Sequence, residues 1–469
     1  MDYIEKLNLQ SEEVEEIANL EKHTIINSEP FSVDKYIGHD RDFLAIDGDY
    51  NDGFNQLKET NGIGINCIVS RRVNEIKKNK SIINVLYPIS EFTSLVNDGI
   101  TDNTEMLQKI LDDENVYEII FPNGSYKFTN INFNNKKIIG QGNSILLSDG
   151  VITVGENSKI ENITFKSVTA NKNEKGHYNN CGVLTLVKNA KNVEITNCKG
   201  IGLNIYLENS HNCIINNNDI EIGHYLYNGN GVRGGIHLVN STYNMIENNK
   251  LHDGIGDGIV VTDGSNFTKV RFNECYNNGF TGVFTAYSIG LTIEGNVCHN
   301  HYAYDGLDIN LPADLQSNDT PYNAKIINNI AYDNNNVGIY LVGSNLLVSG
   351  NTCYNNGLQG IATGQRSGDK PMFNTIICSN NICYDNCIRL DVLESTQANI
   401  WLDQVKGCNC IGNICYQSND KKQINYQIYI YGDSLNIVGN TVSGNHTDPY
   451  PIKWLGTNID ASCNIGNAQ

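Results

Sequence analysis

Residues 301–310, HYAYDGLDIN, hold the side-chain types that acid–base chemistry needs. Asp305 and Asp308 stand three positions apart and follow His301 and Tyr304. Two carboxyl groups about 6.5–9.5 Å apart can hydrolyse a glycosidic bond, one as the acid and the other activating water. A Tyr or His can instead remove the proton next to a sugar carboxylate. The residue types alone leave hydrolysis and elimination both open.

The composition describes an ordered, acidic protein. Its 469 residues are 40% hydrophobic and 18% charged, which is typical of a chain that forms a core. The formal charge of −19 argues against a nucleic-acid partner, and no run of ~18 apolar residues predicts a membrane span. The start, MDYIEKLNLQSEEVEEIANLEK, lacks the basic flank and apolar run of a signal peptide. We therefore expect folding in a reducing cytoplasm, with the 14 cysteines as thiols.

From about residue 150 the chain repeats one template: Asn-x-Cys/Ala-Tyr/His-Asn/Asp, a turn, then Gly-apolar-x-apolar. The spacing of about 22–33 residues is typical of a solenoid. Short alternating strands such as GIHLV and GIYLV predict that each repeat is one coil of a parallel β-helix. The marker asparagines are Asn249, Asn273, Asn296, Asn329, Asn351, Asn381, Asn413 and Asn440.

Stacked coils would place equivalent side chains ~4.8 Å apart. The asparagines are then predicted to hydrogen-bond along a corner, with a buried column of cysteines and a column of tyrosines beside them. The cysteine column contains Cys275, Cys298, Cys353, Cys383 and Cys415, and the ring column contains Tyr276, Tyr332, Tyr354, Tyr384 and Tyr416 with His252 and His299 as variants. A zinc site at 378–387 and 408–410 is the alternative, but the same positions recur without metal-type partners.

The front of the chain does not repeat. Residues 1–87 are predicted to be a helical and mixed attachment region. The stretch NDGITDNTEMLQKILDD (97–113) predicts a helix with Thr101 or Asp102 as its N-cap, which plugs the open end of the solenoid. Its apolar face would hold Met106, Leu107, Ile110 and Leu111. The predicted divisions are 1–87 for attachment, 88–150 for the capping helix and first coils, 151–445 for the β-helix body with the glycan groove, and 446–469 for the C-terminal end.

The motif DGITDNTEMLQKIL…IIFPNGSYKF resembles one found in the pectate-lyase superfamily, and residues 88–445 resemble the bacteriophage tailspike and preneck appendage form of it. The resemblance implies an all-β fold, a right-handed parallel β-helix with a small α-containing attachment region. It also implies a depolymerase that cleaves a bacterial surface polysaccharide or exopolysaccharide, by hydrolysis in preference to elimination. The same scaffold serves polysaccharide lyases, uronan C5-epimerases and non-catalytic adhesins.

The resemblance further implies a homotrimer whose N-terminal region binds phage tail or baseplate proteins. The expected location is the virion, made in the host cytoplasm and acting outside the cell. We predict no cofactor and no metal, with calcium as an alternative only for a lyase. Nucleic acid and membrane are not expected partners.

Departures from the repeat indicate where the site lies. The distance from marker Asn to Gly is nine residues in four coils, but ten from Asn296 to Gly306, which predicts a bulge. The insertion 311–323 follows directly, and 224–234 and 364–373 lie in nearby coils.

Side chains two residues after each Gly should point outwards. This places Asp308 between Phe284 and Tyr340, one coil away on each side. Asp is disfavoured in mid-strand, so a functional role is indicated for Asp308. Asp257 and Asp305 each precede a Gly, two coils or ~9–10 Å apart, although Asp-Gly is also an ordinary turn signal.

We therefore predict that the catalytic residues are Asp308, Asp305, Asp257 and His301. For His301 the alternative is that it fills a corner. The predicted substrate-binding residues are Phe284, Tyr340, Tyr287, Tyr304, His237, Asp263, Asn310, Arg233 and Arg366. Lys269 and Arg271, with Glu247 and Glu294, are predicted to form a surface salt-bridge ladder; the alternative is that Lys269 and Arg271 are the base and the neutralising cation of a lyase.

Overall fold

The structure is a computed structural model. It describes residues 82–88, 92–174, 176–178, 182–227, 229–310, 323–364, 373–389, 391, 396–418, 420–421 and 423–466. Nearly all of the predicted attachment region, and Arg366, lie outside these residues. None of the described helices has the length and apolar character needed to cross a bilayer. The chain divides into two compact units: one contains residues up to 127 with 135–144, and the other contains 128–134 with 145 onwards.

The first unit contains the predicted helix, at Thr104–Asp112, which buries Leu107, Ile110 and Leu111. The residue at its N-cap is Asn103, so the prediction of Thr101 or Asp102 was wrong by one or two positions. Asp102 still contributes, because its carboxylate accepts the backbone N–H of Thr104 at 2.9 Å. The strands of this unit are Ile82–Asn84, Asp98–Asp102, Glu118–Phe121, Gly124–Lys127 and Lys137–Gly140.

The second unit is a parallel β-helix in which strands of successive coils pair along three faces. Face A, which carries Asp308, contains Ile131–Phe133, Val151–Val154, Val183–Lys188, the end of Lys199–Glu208, Gly234–Val239, Asp257–Thr262, Val283–Thr285, Leu307–Ile309, Ile339–Leu341, Ile361–Thr363 and the starts of Ala398–Ile411, Tyr426–Val438 and Ile452–Ser462. Face B contains Lys159–Glu161, Glu194–Thr196, Ile214–Asn216, Met245–Glu247, Lys269–Arg271, Thr292–Glu294, Ala324–Ile327, Leu346–Ser349, Phe373–Asn374, Ile376–Ser379 and the ends of the last three strands of face A. Face C contains Ser144–Leu147, Thr164–Lys166, the start of Lys199–Glu208, Asp219–Ile222, Lys250–His252, Glu274–Tyr276, Val297–His299, Ile330–Tyr332, Thr352–Tyr354, Ile382–Tyr384, Ile414–Gln417 and Thr441–Gly444. A short antiparallel hairpin joins Leu226–Tyr227 to Asn230–Gly231.

The predicted asparagine ladder is confirmed at the corner between faces B and C. Each side-chain N–H donates to the side-chain oxygen of the asparagine in the next coil, at 2.9–3.0 Å. That oxygen also accepts the backbone N–H of the donor, for example from Asn273 to Asn296 at 3.0 Å. The ladder thereby satisfies polar groups that the turn buries in every coil.

The cysteine and ring columns are also confirmed. The five predicted cysteines are buried free thiols inside the coils. Seven rings from His252 to Tyr416 stack on the outside of face C, with centroids 4.6–5.3 Å apart and planes within 8°. Among the described residues, no cluster of His, Cys, Asp and Glu has the arrangement of a metal site. Of the positions in the zinc alternative, Cys383 lies in the cysteine column between Cys353 and Cys415, and Cys378 pairs with Cys410 of the next coil.

Candidate functional site

The predicted register on face A is confirmed. Val260 pairs with Phe284, Phe284 with Asp308, and Asp308 with Tyr340. The pairing continues through Ala362, Trp401 and Tyr429 to Lys453. These residues, here called the outer row, lie on the outside of the strands, because their neighbours Leu307 and Ile339 are fully buried inside. Asp308 thus lies in a row rich in aromatic residues.

The bulge predicted from the extra residue of this coil was wrong. Leu307–Ile309 pairs in regular register with the strands on both sides. The extra residue lies in the turn before the strand, since His301 stands five residues before Gly306 whereas Asn334 stands four before Gly338. The turn absorbs the insertion, and the strand therefore keeps Asp308 aligned with Phe284 and Tyr340.

Asp257 is a fully buried carboxylate held by two groups. Arg233 donates from Nε to Oδ2 at 2.5 Å, and the backbone N–H of Thr281 donates to Oδ1 at 2.9 Å. The guanidinium group of Arg233 also lies 3.7 Å over the ring of Phe284. Burial raises the pKa of Asp257, while Arg233 opposes the shift. Asp257 thus fixes the insertion 224–234 onto face A.

Asp305 is buried in the turn just before the strand. Its Oδ1 accepts the backbone N–H of Val337, in the next coil, at 2.8 Å. Burial raises its pKa to about 7, and the hydrogen bond from Val337 opposes the shift. Because the bond engages one oxygen of the carboxyl group, Asp305 has a fixed orientation.

Asp308 is the least satisfied carboxyl group of the three. Only 8% of the residue is exposed, and its buried Oδ1 has no hydrogen-bond partner. Burial raises its pKa to about 8, with further increases from the charges of Asp305 and Asp257 and an opposing effect of Arg233. Near neutral pH, Asp308 is therefore protonated and able to donate a proton. We call Asp257, Asp305 and Asp308 the acid cluster.

Two apolar clusters on face A flank Asp308 and explain its desolvation. Val260, Phe284 and Ala286 form the first, on the N-terminal side. The second contains Val337, Ala362, Ala398 and Trp401, with Tyr340, Leu358, Tyr426 and Tyr429 packed against it. A carboxyl group between two apolar surfaces favours its neutral form. The same arrangement offers aromatic surface on both sides of an acid.

The structure argues against His301 as a catalytic base. It takes the place of an asparagine in a second ladder. The backbone N–H of Asn278 donates to its Nδ1, and the backbone N–H of His301 donates to the side-chain oxygen of Asn334. Only 2% of His301 is exposed, and burial lowers its pKa to about 3. His301 is therefore a neutral corner residue on the inside of the coil.

The other predicted binding residues are placed unevenly around the acid cluster. His237 lies two coils before Phe284 in the outer row, and burial lowers its pKa to about 4. Tyr304 is 48% exposed, in the turn that holds Asp305. Asp263 and Tyr287 are exposed corner residues with positive φ, one and two positions beyond their strands of face A. Asn310 is half-buried and donates its backbone N–H to the backbone carbonyl of Thr285.

Sequence reasoning missed the C-terminal part of the outer row. Trp401 stacks on Tyr429 with ring centroids 3.9 Å apart, three and four coils beyond Asp308. Asp403 lies beside them, and burial raises its pKa. The coil of Trp401 has Asn399 where the earlier coils have Gly, so the repeated Gly-apolar-x-apolar pattern ends one coil before Trp401. The alternating strand ANIWLD was the available signal.

The acid cluster predicts a pH-dependent stability. The folded-state pKa values of about 7 and 8 for Asp305 and Asp308 lie above the usual value, so the folded protein binds protons that the unfolded chain has lost. Stability from these groups therefore falls as the pH rises from about 4 to about 8. We expect Asp308→Asn to raise the thermal unfolding midpoint relative to wild type at pH 8 and not at pH 4. An equal difference between the unfolding midpoints of variant and wild type at pH 4 and pH 8 would contradict the burial of the Asp308 carboxyl group.

The comparisons with known proteins agree with the fold. Residues 234–404 match the family described as right handed beta helix region, and the chain is a right-handed parallel β-helix. No curated protein matches the sequence.

Solved structures resemble it at low sequence identity. The receptor-binding protein of bacteriophage Det7, a tailspike, is 16% identical with a TM-score of 0.55, over 83% of this chain and 78% of that one. The surface adhesin PfbA of Streptococcus pneumoniae is 13% identical with a TM-score of 0.47, over 81% and 91%. The A-module of a mannuronan C-5 epimerase from Azotobacter vinelandii is 16% identical with a TM-score of 0.46, over 82% and 95%. At these identities the likeness is one of fold.

Proposed function

We propose that the protein binds an extended bacterial polysaccharide along face A and hydrolyses it at the acid cluster. The observation that carries the proposal is the pair Asp305 and Asp308, two desolvated carboxyl groups between two aromatic surfaces. Glycoside hydrolysis needs one carboxyl group protonated and one ionised near the working pH. The pair has apparent pKa values of about 7 and 8, which supports one protonated and one ionised carboxyl group at a pH between these values.

In the proposed mechanism, Asp308 protonates the leaving oxygen, because it has the higher pKa and a buried oxygen without a partner. Asp305 is the base that activates water, since the bond from Val337 holds its carboxyl group in one orientation. Phe284 and Tyr340 lie one coil to either side and provide contacts for the sugar rings. Arg233 positions the insertion 224–234 through Asp257.

Charge favours hydrolysis of a neutral sugar over elimination or epimerisation of a uronate. Both latter reactions need a cation to neutralise the sugar carboxylate. Among the described residues, Arg233 is the cation whose charge acts on Asp308, and it is already paired with Asp257. A uronate placed at Asp308 would meet the ionised carboxyl group of Asp305, and repulsion would weaken its binding.

Product analysis tests the proposal. The protein is incubated with a panel of bacterial capsular and cell-wall polysaccharides, and the products are assayed for reducing ends and for the ultraviolet absorbance of unsaturated uronates. New reducing ends without that absorbance are expected. Absorbing products would instead show a lyase, and binding without products would show an adhesin.

The assembly belongs to the same proposal. A virion tail location, a homotrimer and attachment through the N-terminal region are supported by the fold likeness to the Det7 tailspike. The attachment region lies almost wholly outside the described residues, so the support comes from the β-helix alone.

A further inference from the structure

Three aromatic residues at the corners of face B have a backbone conformation that bulky side chains rarely adopt. The φ angles of Tyr243, Phe267 and Phe272 are 59°, 56° and 56°. A left-handed conformation costs free energy for any residue with a Cβ atom and is an outlier for a bulky one. Such strain persists where a function or the surrounding structure requires it.

The equivalent corner positions in other coils show how unusual these residues are. In the described coils, the corner before face B holds Asn157, Asn192, Asn212, Tyr243, Phe267, Gly290, Asn323, Asn345, Thr375, Gly407, Ser434 and Asn458. The corner after it holds Asn162, Asn197, Asn217, Asn248, Phe272, Gly295, Asn328, Gly350, Asn380, Gly412, Gly439 and Cys463. Asn and Gly tolerate this conformation best, and the aromatic exceptions occur in two neighbouring coils.

Burial does not compensate for the strain. Tyr243, Phe267 and Phe272 are 58%, 44% and 53% exposed. The rings of Tyr243 and Phe267 stack at 5.0 Å with planes 18° apart. The two corners therefore present aromatic surfaces to solvent, one on each side of face B.

The next coil makes room for both phenylalanine rings. A Cβ atom on Gly290 would lie 2.5 Å from the ring of Phe267, and one on Gly295 would lie 2.5 Å from the ring of Phe272. The same coil thus has glycine beneath each ring. Phe267 and Phe272 are five residues apart, which corresponds to at most about 17 Å along an extended strand. We call this pair of surfaces, with Tyr243, the corner platforms.

Polar side chains lie between the corner platforms. Arg271 and Glu247 form an ion pair at 2.5 Å, which is one pair of the predicted ladder. Lys269 and Glu294 occupy neighbouring positions in the same and the next coil. These groups provide hydrogen-bond donors and acceptors of both signs between two flat apolar rings.

The chemistry of face B selects one class of occupant. A peptide cannot add as a strand here, because both edges of Lys269–Arg271 are already paired. Stacked nucleic-acid bases would fit aromatic rings, but the charge of −19 opposes a polyanion. Sugar rings combine a flat apolar side with a rim of hydroxyl groups, which matches the platforms and the polar groups between them.

We propose that face B is a second, non-catalytic binding site for a neutral polysaccharide, with sugar rings on Phe267 and Phe272. The site lies on a different face from the acid cluster and requires no cleavage, so it goes beyond the proposed function. Two sites on one chain would raise the retention of a long polymer through effective concentration.

Replacement of the aromatic residues by the usual corner residue tests the proposal. Phe267→Asn/Phe272→Asn is made in an Asp308→Asn background, and binding is measured by native electrophoresis through gels containing dextran, xylan, galactomannan or mixed-linkage β-glucan. We expect affinity for at least one polysaccharide to fall roughly tenfold, as for the loss of two aromatic contacts. Thermal stability should stay equal or rise, because Asn relieves the strain.

The matched control is Thr375→Asn, at the same corner of a later coil with φ of 52°. It also relieves strain but removes no aromatic ring, so binding should not change. The proposal is overturned if the double variant binds polysaccharide as tightly as its parent. It is also overturned if the double variant is less stable, because the rings would then stabilise the fold by packing on Gly290 and Gly295. A third contradicting result is that none of the four polysaccharides reduces the electrophoretic mobility of the parent protein. A fourth is that the two substitutions change the mass of the protein in solution, which would show that the rings lie in a subunit contact. Because the test measures binding and stability and not cleavage, its outcome does not depend on whether Asp308 is catalytic.

Discussion

Asp308→Asn is expected to lower the rate of polysaccharide cleavage by roughly 10²–10⁴-fold and to leave polysaccharide binding nearly unchanged. Asparagine has the same shape but no acidic proton, so the leaving oxygen would depart without protonation. The outer row keeps Phe284 and Tyr340 in register with position 308, and the contacts to sugar rings should therefore remain. The measurement is the initial rate of reducing-end formation on the substrate found in the panel, with affinity measured separately.

The control for this variant is Asp333→Asn. Asp333 is an exposed corner residue with φ of 52°, beyond face C, at a position where other coils have asparagine. Its substitution makes the same chemical change at an exposed corner outside the acid cluster, and we expect the wild-type rate. Cleavage by Asp308→Asn at that rate, in a protein that unfolds as cooperatively as wild type, would remove Asp308 from the mechanism.

The pH dependence of cleavage follows from the same pair. Hydrolysis needs Asp308 protonated and Asp305 ionised, so the rate should be greatest between the apparent pKa values of about 7 and 8. These values belong to the pair, because each charge affects the other group. This profile differs from that of carboxyl groups in water, which are fully ionised in this range.

The regular part of the molecule could be read from the sequence because every coil repeats the same requirements. Asn296 and Asn329 stand in equivalent positions, and the buried turn gives both the same hydrogen bonds. The alternation around Gly306 likewise placed Asp308 on the outside of its strand beside Phe284 and Tyr340. Periodicity carries such information because a shift by one residue would exchange the inner and outer faces.

The rest depends on contacts between segments distant in sequence, which periodicity does not encode. The pairing of Arg233 with Asp257 requires the insertion 224–234 to fold back over face A. The burial of Asp308, on the outside of a sheet, follows from clusters contributed by coils on both sides. The inward position of His301 was open in the sequence, because a ring can replace an asparagine in a ladder or face solvent.

Arg233→Met is expected to destabilise the protein by about 3–5 kcal/mol, the usual cost of leaving one partner of a buried ion pair uncompensated. The two partners are unequal: the side chain of Asp257 is fully buried, whereas that of Arg233 is 42% exposed. Methionine retains apolar contact with Phe284 but provides no charge or hydrogen bond. Asp257 would then keep only the backbone N–H of Thr281. Chemical denaturation of both proteins under matched conditions measures the loss.

The second substitution shows whether the buried charge is the cause. Asp257→Asn keeps an oxygen to accept the N–H of Thr281, and its exposed former partner Arg233 can be hydrated. We therefore expect a loss of only about 1 kcal/mol for Asp257→Asn, and Arg233→Met/Asp257→Asn should recover most of the stability lost in Arg233→Met.

The pH dependence gives the same test an independent measure. Removal of Arg233 takes away the interaction that opposes the raised pKa of Asp257, so that pKa should rise further. A carboxyl group whose folded pKa lies above its unfolded value loses stability as the pH rises from the unfolded value through the folded one. The penalty for Arg233→Met should therefore be larger at about pH 8 than at about pH 5, and the double variant should show no such difference. A penalty independent of pH would mean that Arg233 stabilises the insertion 224–234 by packing on Phe284, and that its charge contributes little.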